Sequence, residues 1–196
     1  SKSNNLKRKK VISDLRKLYL DIEICLGIKN EVKKYVNIID NKKFNSVFIL
    51  GKGKNKFIAD EGALKIKEIS YIHAEGYSGS SLKHGPFGLL EEGFPVILVD
   101  IDDEYHIKMN NIYEEVKSRG AEIITITDDV NMIRENKILV PKNKNFSFLL
   151  SVIPFQYLAY YLSLNRGHNP DYPRNLAKVV TVEWLYCKKK NWNRIF

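Results

Sequence analysis

With 196 residues, 44% of them hydrophobic, the chain is long enough for one domain that buries roughly two-thirds of its unfolded surface. No apolar run reaches the ~20 residues of a membrane-crossing helix. The basic start (SKSNNLKRKK) has no apolar signal core behind it, and Cys25 and Cys187 show no Cys-x-x-Cys spacing, so the expected compartment is a reducing cytoplasm. The net charge of +9 comes from lysines scattered among asparagines, not from Arg and Lys gathered with aromatics on one element, which argues against a nucleic-acid binder and suits capture of a small anionic substrate.

In chain order, residues 11–27 and 30–40 carry apolar positions at helical spacing. A short apolar run at 47–50 ends in Gly51-Lys52-Gly53, and a helical pattern follows over about 57–74. Residues 94–101 form a second apolar run, and 105–119 an amphipathic helix stopped by Gly120. Strands are predicted at 123–127 and 138–140, then a long, largely buried helix over 146–165. Strands apolar on both faces that alternate with helices predict a three-layer α/β/α sandwich around a parallel, five-stranded sheet of the flavodoxin-like kind. Polar residues cluster after the strands (Gly51–Gly53, Asp102-Asp103, Asp128-Asp129), at the edge where open α/β sheets bind ligands. Gly51-Lys52-Gly53 lacks the third glycine of a phosphate-binding fingerprint and reads as a tight turn.

Two constellations carry chemistry. On the first helix after the 47–50 run, Glu61, Lys65 and Glu68 fall at i, i+4 and i+7, so they share one stripe. Such a stripe is either an ordinary ion-paired helix surface or a set of groups coupled for proton transfer. Beyond it comes Leu82-Lys83-His84-Gly85-Pro86, an imidazole at a glycine-proline break. The second constellation is Pro173-Arg174-Asn175-Leu176-Ala177-Lys178 followed by Val180-Thr181-Val182-Glu183, a stiff loop whose lysine is either solvated or an imine-forming amine.

These three motifs, in this order, together with residues 149–162, resemble the C-terminal sugar-isomerase (SIS) half of the glutamine–fructose-6-phosphate aminotransferase family. The resemblance runs from about residue 40 to 183. It implies that Glu68 shuttles a proton between C1 and C2 of the sugar, that His84 opens the sugar ring in a neighbouring subunit's site, and that Lys178 forms a Schiff base with the open-chain ketone. Lys65 would steady the developing enediol charge, Glu61 would contact substrate or Lys65, and Ala177 would place its backbone at the sugar. The implied reaction turns fructose 6-phosphate into glucosamine 6-phosphate for hexosamine biosynthesis, in a homodimer, without metal or organic cofactor and without nucleic-acid or membrane partners. His73, His106 and His168 match nothing catalytic.

The resemblance divides the chain into a basic N-terminus with lead-in helices (1–40), a SIS core (41–169), a C-terminal catalytic loop (170–183) and a tail outside the family pattern (184–196). Ser80-Ser81 stand where the family has Gly-Glu, which removes a carboxylate and is expected to loosen the loop presenting His84. Lys52 replaces an arginine, and Val179 a serine. A glutaminase domain with its nucleophilic cysteine and a first SIS half with a Ser/Thr phosphate loop are not recognisable, so the chain is expected to be part of a longer enzyme whose other units are its partners. Two other classes stay open: a sugar-phosphate-binding module without catalysis, and an assembly piece that binds no sugar.

Overall fold

The computed structural model describes residues 2–101 and 103–175. Its centre is a five-stranded sheet, every neighbouring pair parallel, in the order β2-β1-β3-β4-β5. The strands are β1 (Ser46–Gly51), β2 (His73–Ser78), β3 (Pro95–Val99), β4 (Glu122–Thr127) and β5 (Lys137–Leu139). The helices are α1 (Lys2–Gly27), α2 (Lys29–Lys33), α3 (Val36–Ile39), α4 (Lys54–Ser70), α5 (His106–Lys117), α6 (Ser147–Leu150) and α7 (Val152–Asn165).

β-Branched and aliphatic residues fill β1, β3 and β4, and the strand's period of two sends them to both faces. Val47 and Ile49 join a core with Ile58, Ala59, Ile66, Phe155, Leu158 and Leu162, while Phe48 and Leu50 join a second one with Leu82, Met109, Ile112 and Val116. The expected three-layer α/β/α sandwich is therefore present. The α6–α7 stretch, Ser147–Asn165, is apolar and long enough to cross a membrane by length and composition alone. Its Phe155, Leu158, Ala159 and Leu162 are instead spent on the core, with the Phe155 ring pressed where a Cβ on Gly62 of α4 would lie, 2.6 Å away.

Two expectations need correction. The N-terminal segment is helical from Lys2, not from residue 11, and exposes Leu6, Leu15, Tyr19, Ile24 and Leu26. The helix expected over 57–74 stops at Ser70, and residues 73–78 are the edge strand β2. Ser70 turns its hydroxyl back onto the Ile66 carbonyl (2.6 Å), and Tyr71 takes the left-handed conformation (φ 58°) that closes the helix. β2 lacked an apolar run because, as an edge strand, it fully buries only Ala74. Gly76 was the available signal: a Cβ there would sit 2.4 Å from the Asp60 carboxylate and 2.8 Å from its backbone nitrogen, a close approach that glycine marks in strands.

Candidate active site

α4 starts at the C-terminal edge of the sheet, just after β1, and runs back to the N-terminal edge before β2. Its inner face is held by Ile58, Ala59, Gly62, Ala63 and Ile66, which are buried. The 3.6-residue period then turns Glu61, Lys65 and Glu68 outward together. Lys65 Nζ donates to Glu68 Oε2 at 2.8 Å and lies 3.6 Å from Glu61 Oε1, so one ammonium is shared by two carboxylates. The side chains keep 30% (Lys65), 31% (Glu68) and 43% (Glu61) of their exposure, half-sheltered by one another yet open to a ligand. The hydrogen bond that Lys65 donates to Glu68 is the main reason its pKa is raised above the ordinary lysine value; desolvation opposes it, and the nearby charges of Glu68 and Glu61 add to the rise. Lys65 therefore stays an ammonium at neutral pH. It can stabilise a developing oxyanion but is a poor imine-forming amine.

Three residues past Glu68, Tyr71 anchors the incoming C-terminal segment. The Arg174 backbone N–H donates to the Tyr71 hydroxyl at 2.7 Å, the Arg174 guanidinium lies 3.8 Å from the centre of the Tyr71 ring, and His168 meets the same ring edge-on at 4.7 Å. A left-handed tyrosine is costly, and such conformations persist only where surrounding contacts over-determine them. The Pro173-Arg174-Asn175 motif is thus pinned at the Glu68 end of α4. Ala177 and Lys178 lie outside the described residues, as do Val179, the segment 180–183 and the tail 184–196; Lys178 follows Asn175 by three positions, a span of at most about 11 Å.

His84 sits elsewhere. It ends a 3-10 turn, Gly79–His84, that follows the C-terminal end of β2, and Leu82 buries that turn in the core on the α5 side of the sheet. Glu68 lies on the opposite layer and at the opposite sheet edge, with roughly 17 Å of β2 between the two edges. Within one chain the two are not brought together. The turn is tied down: Lys52 Nζ donates to Ser80 Oγ at 2.5 Å, Lys83 pairs with Glu115 at 2.8 Å, and Gly85 (φ 140°) makes the break before Pro86. Ser80 thus gives the loop an anchor through Lys52, the residue between the two glycines, where the Ser80-Ser81 replacement was expected to loosen it.

Sequence reasoning passed over two buried polar groups. Asp100, 1% exposed after β3, lies 3.0 Å from His106 Nδ1, and burial pushes its carboxyl up to about 6. Its Oδ2 has no hydrogen-bond partner among the described residues. Asn55, in the first turn of α4, is also 1% exposed, and neither its Oδ1 nor its Nδ2 is hydrogen-bonded to any of the described residues. Nothing periodic marks either one; each is set by its place after a strand.

A sequence model of the SIS domain family matches residues 39–166. The chain belongs to the SIS domain family. In sequence it is similar to the protein named "Probable glutamine–fructose-6-phosphate aminotransferase (isomerizing)" of Acanthamoeba polyphaga mimivirus, 50% identical over 79% of this chain and 25% of that protein. It is likewise similar to the glutamine–fructose-6-phosphate aminotransferase (isomerizing) of Thermococcus kodakarensis, 41% identical over 89% of this chain and 29% of that protein. Among solved structures, the C-terminal domain of glucosamine-fructose-6-phosphate aminotransferase from Francisella tularensis superposes with a TM-score of 0.76 and 31% identity, over 84% of this chain and 47% of that one. The chain therefore spans 25% and 29% of the length of these two proteins and about half of the solved C-terminal domain.

Proposed function

We propose that this SIS domain carries the isomerising chemistry of a glutamine–fructose-6-phosphate aminotransferase, acting on fructose 6-phosphate as one unit of a longer cytoplasmic enzyme that also holds a glutaminase and another SIS half. The observation that carries the reading is the outward Glu61–Lys65–Glu68 cluster, with the Pro173-Arg174-Asn175 motif clasped on Tyr71 at the same end of α4. In this reading the Lys178 amine condenses with the C2 ketone of the open-chain sugar and expels water. Ammonia from the glutaminase unit then displaces the lysine, freeing its amine and leaving the nitrogen on C2 as an imine; Glu68 takes a proton from C1 and returns it at C2, a transfer that a positioned carboxylate accelerates by about 10²–10⁴-fold. Lys65, held as an ammonium, offsets the charge that develops on the C1 oxygen, and Glu61 orients Lys65. The Ala177 backbone lines the sugar.

His84 opens the ring of a sugar bound to a second copy. The separation of His84 from Glu68 by the full sheet supports this arrangement, and a two-fold dimer would supply each site with the other copy's imidazole.

The test is to graft residues 1–183 in place of the matching segment of the Thermococcus enzyme and follow glucosamine 6-phosphate formation. Activity is expected in the graft and lost with Glu68→Gln. Mixing Glu68→Gln with His84→Ala grafts is expected to restore about a quarter of the activity, because half the dimers are mixed and each has one intact site. No restoration would refute the crossing of His84. Full activity of the Glu68→Gln graft would refute the proton shuttle, and sugar binding without turnover in the unsubstituted graft would favour a non-catalytic sugar-phosphate module.

A further inference from the structure

We propose that Glu115, in the last turn of α5, and Arg119, just beyond it, are positioning residues that clamp the chain on both sides of His84 and so set where its imidazole reaches. This rests on the reading of His84 as the ring-opening group of a second copy's site, and adds two residues that touch no substrate. A 3-10 turn has three residues per turn, so positions three apart lie over one another and Gly79–His84 has three sides. Gly79 and Leu82 form the buried side; a Cβ at Gly79 would lie 2.1 Å from Ile112 Cδ1, so the turn rests directly on α5. Ser80 and Lys83 form the second side, and both are tied, Ser80 to Lys52 and Lys83 Nζ to Glu115 Oε1 at 2.8 Å. Ser81 and His84 form the third side, which is exposed.

Ile112 and Glu115 are three residues apart on α5, so one face of that helix holds both ends of the turn. After His84 the chain breaks at Gly85, whose φ of 140° few other residues adopt, and enters a second 3-10 turn, Pro86–Leu89. There the Arg119 guanidinium lies 3.9 Å from the centre of the Phe87 ring, while its Nη1 donates to the Glu115 backbone carbonyl. Residue 83 is thus held from Glu115 and residue 87 from Arg119, and the two holders are joined to each other. The pivot left between them is Gly85. An exposed histidine beside a glycine pivot sweeps a wide arc unless both flanks are fixed, and a proton donor works only when it is aimed at its acceptor. Glu115 Oε2 is buried without a hydrogen-bond partner among the described residues, an unmet polar atom that calls for a role besides stability.

The test uses the mixed grafts described above. In a mixed dimer the Glu68→Gln copy supplies the imidazole and the His84→Ala copy supplies the carboxylate. Glu115→Ala/Arg119→Ala placed in the Glu68→Gln copy is expected to lower the restored kcat about 10-fold, with KM changed by less than about 2-fold. Placed in the His84→Ala copy, where the clamp holds no imidazole, the same pair is expected to leave the restored activity as it was. Equal loss from either copy would mark a merely structural role, and no loss from either would mean that His84 needs no clamp; both results overturn the proposal. Failure of the grafts to restore activity before Glu115 or Arg119 is changed refutes the crossing of His84 instead. The clamp is then read without substrate, by hydrogen exchange of the full chain. The amides of residues 82–88 are expected to exchange about 2–5-fold faster in Glu115→Ala/Arg119→Ala, and those of α4 at an unchanged rate. Unchanged exchange over 82–88 overturns the clamp.

Discussion

The two sides of α4 treat charge in opposite ways. On the outward stripe, Glu61, Lys65 and Glu68 satisfy one another and stay partly solvated, so their electrostatics cost the fold little and can be changed without harm to it. At the inner end, Asn55 and the neighbouring strand-end Asp100 are buried with polar atoms unmet among the described residues. Groups of the second kind are carried at the expense of stability and persist where something compensates. The contrast separates chemistry that is visible as a sequence period from chemistry that exists only through topology.

The contrast breaks first if the outward stripe proves structural. Glu68→Gln is expected to cut isomerisation in the graft by about 10²–10⁴-fold while moving urea-unfolding stability by less than about 0.5 kcal/mol. A stability loss equal to the activity loss would erase the distinction.

The buried side predicts the reverse pattern. Burial raises the Asp100 carboxyl from 3.8 to about 6, so between those pH values the native state binds more protons than the unfolded one. Its stabilising contribution is full below pH 3.8 and is lost as pH rises through about 6, a change on the order of 3 kcal/mol. Urea unfolding at pH 4.5 and pH 7.5 should show about 2 kcal/mol of this fall in the unsubstituted chain and a flatter profile in Asp100→Asn.

A third variant probes the layer between the two sides. Gly62→Ala drives a Cβ to 2.6 Å from the Phe155 ring, and overpacking of this kind costs about 1–3 kcal/mol even against alanine's better helix propensity. A thermal melt that shows no loss would mean that α7 shifts easily against α4. The smallest effect belongs to the Tyr71 clasp. Arg174→Ala removes a partly exposed cation–π contact of about 0.5–1 kcal/mol, so imine trapping on Lys178 should slow by roughly 2–5-fold.

The legible part of this molecule was whatever repeats. Doubly apolar strands announced β1, β3 and β4 and hence the sandwich, and the i, i+4, i+7 spacing announced the Glu61–Lys65–Glu68 stripe. β2 escaped because an edge strand needs few apolar residues, and its lead-in, Ile69-Ser70-Tyr71-Ile72, continues the helical pattern until Tyr71 turns left-handed. Asn55 escaped because one asparagine beside Gly53 looks like turn chemistry until Gly51 is seen to press α4 against β1. The layer that holds His84 was set by Leu82, whose apolar character gave no hint of which face of the sheet it would join.

The account rests most on one meeting of groups, the sugar's C2 carbon with the amine of Lys178 beside the Glu68 end of α4. Borohydride reduction of the graft in the presence of fructose 6-phosphate, followed by peptide mapping, tests it directly. A single hexose phosphate adduct on Lys178, slowed by Arg174→Ala, is the predicted result. An adduct on Lys65, or equal labelling across surface lysines, would contradict it.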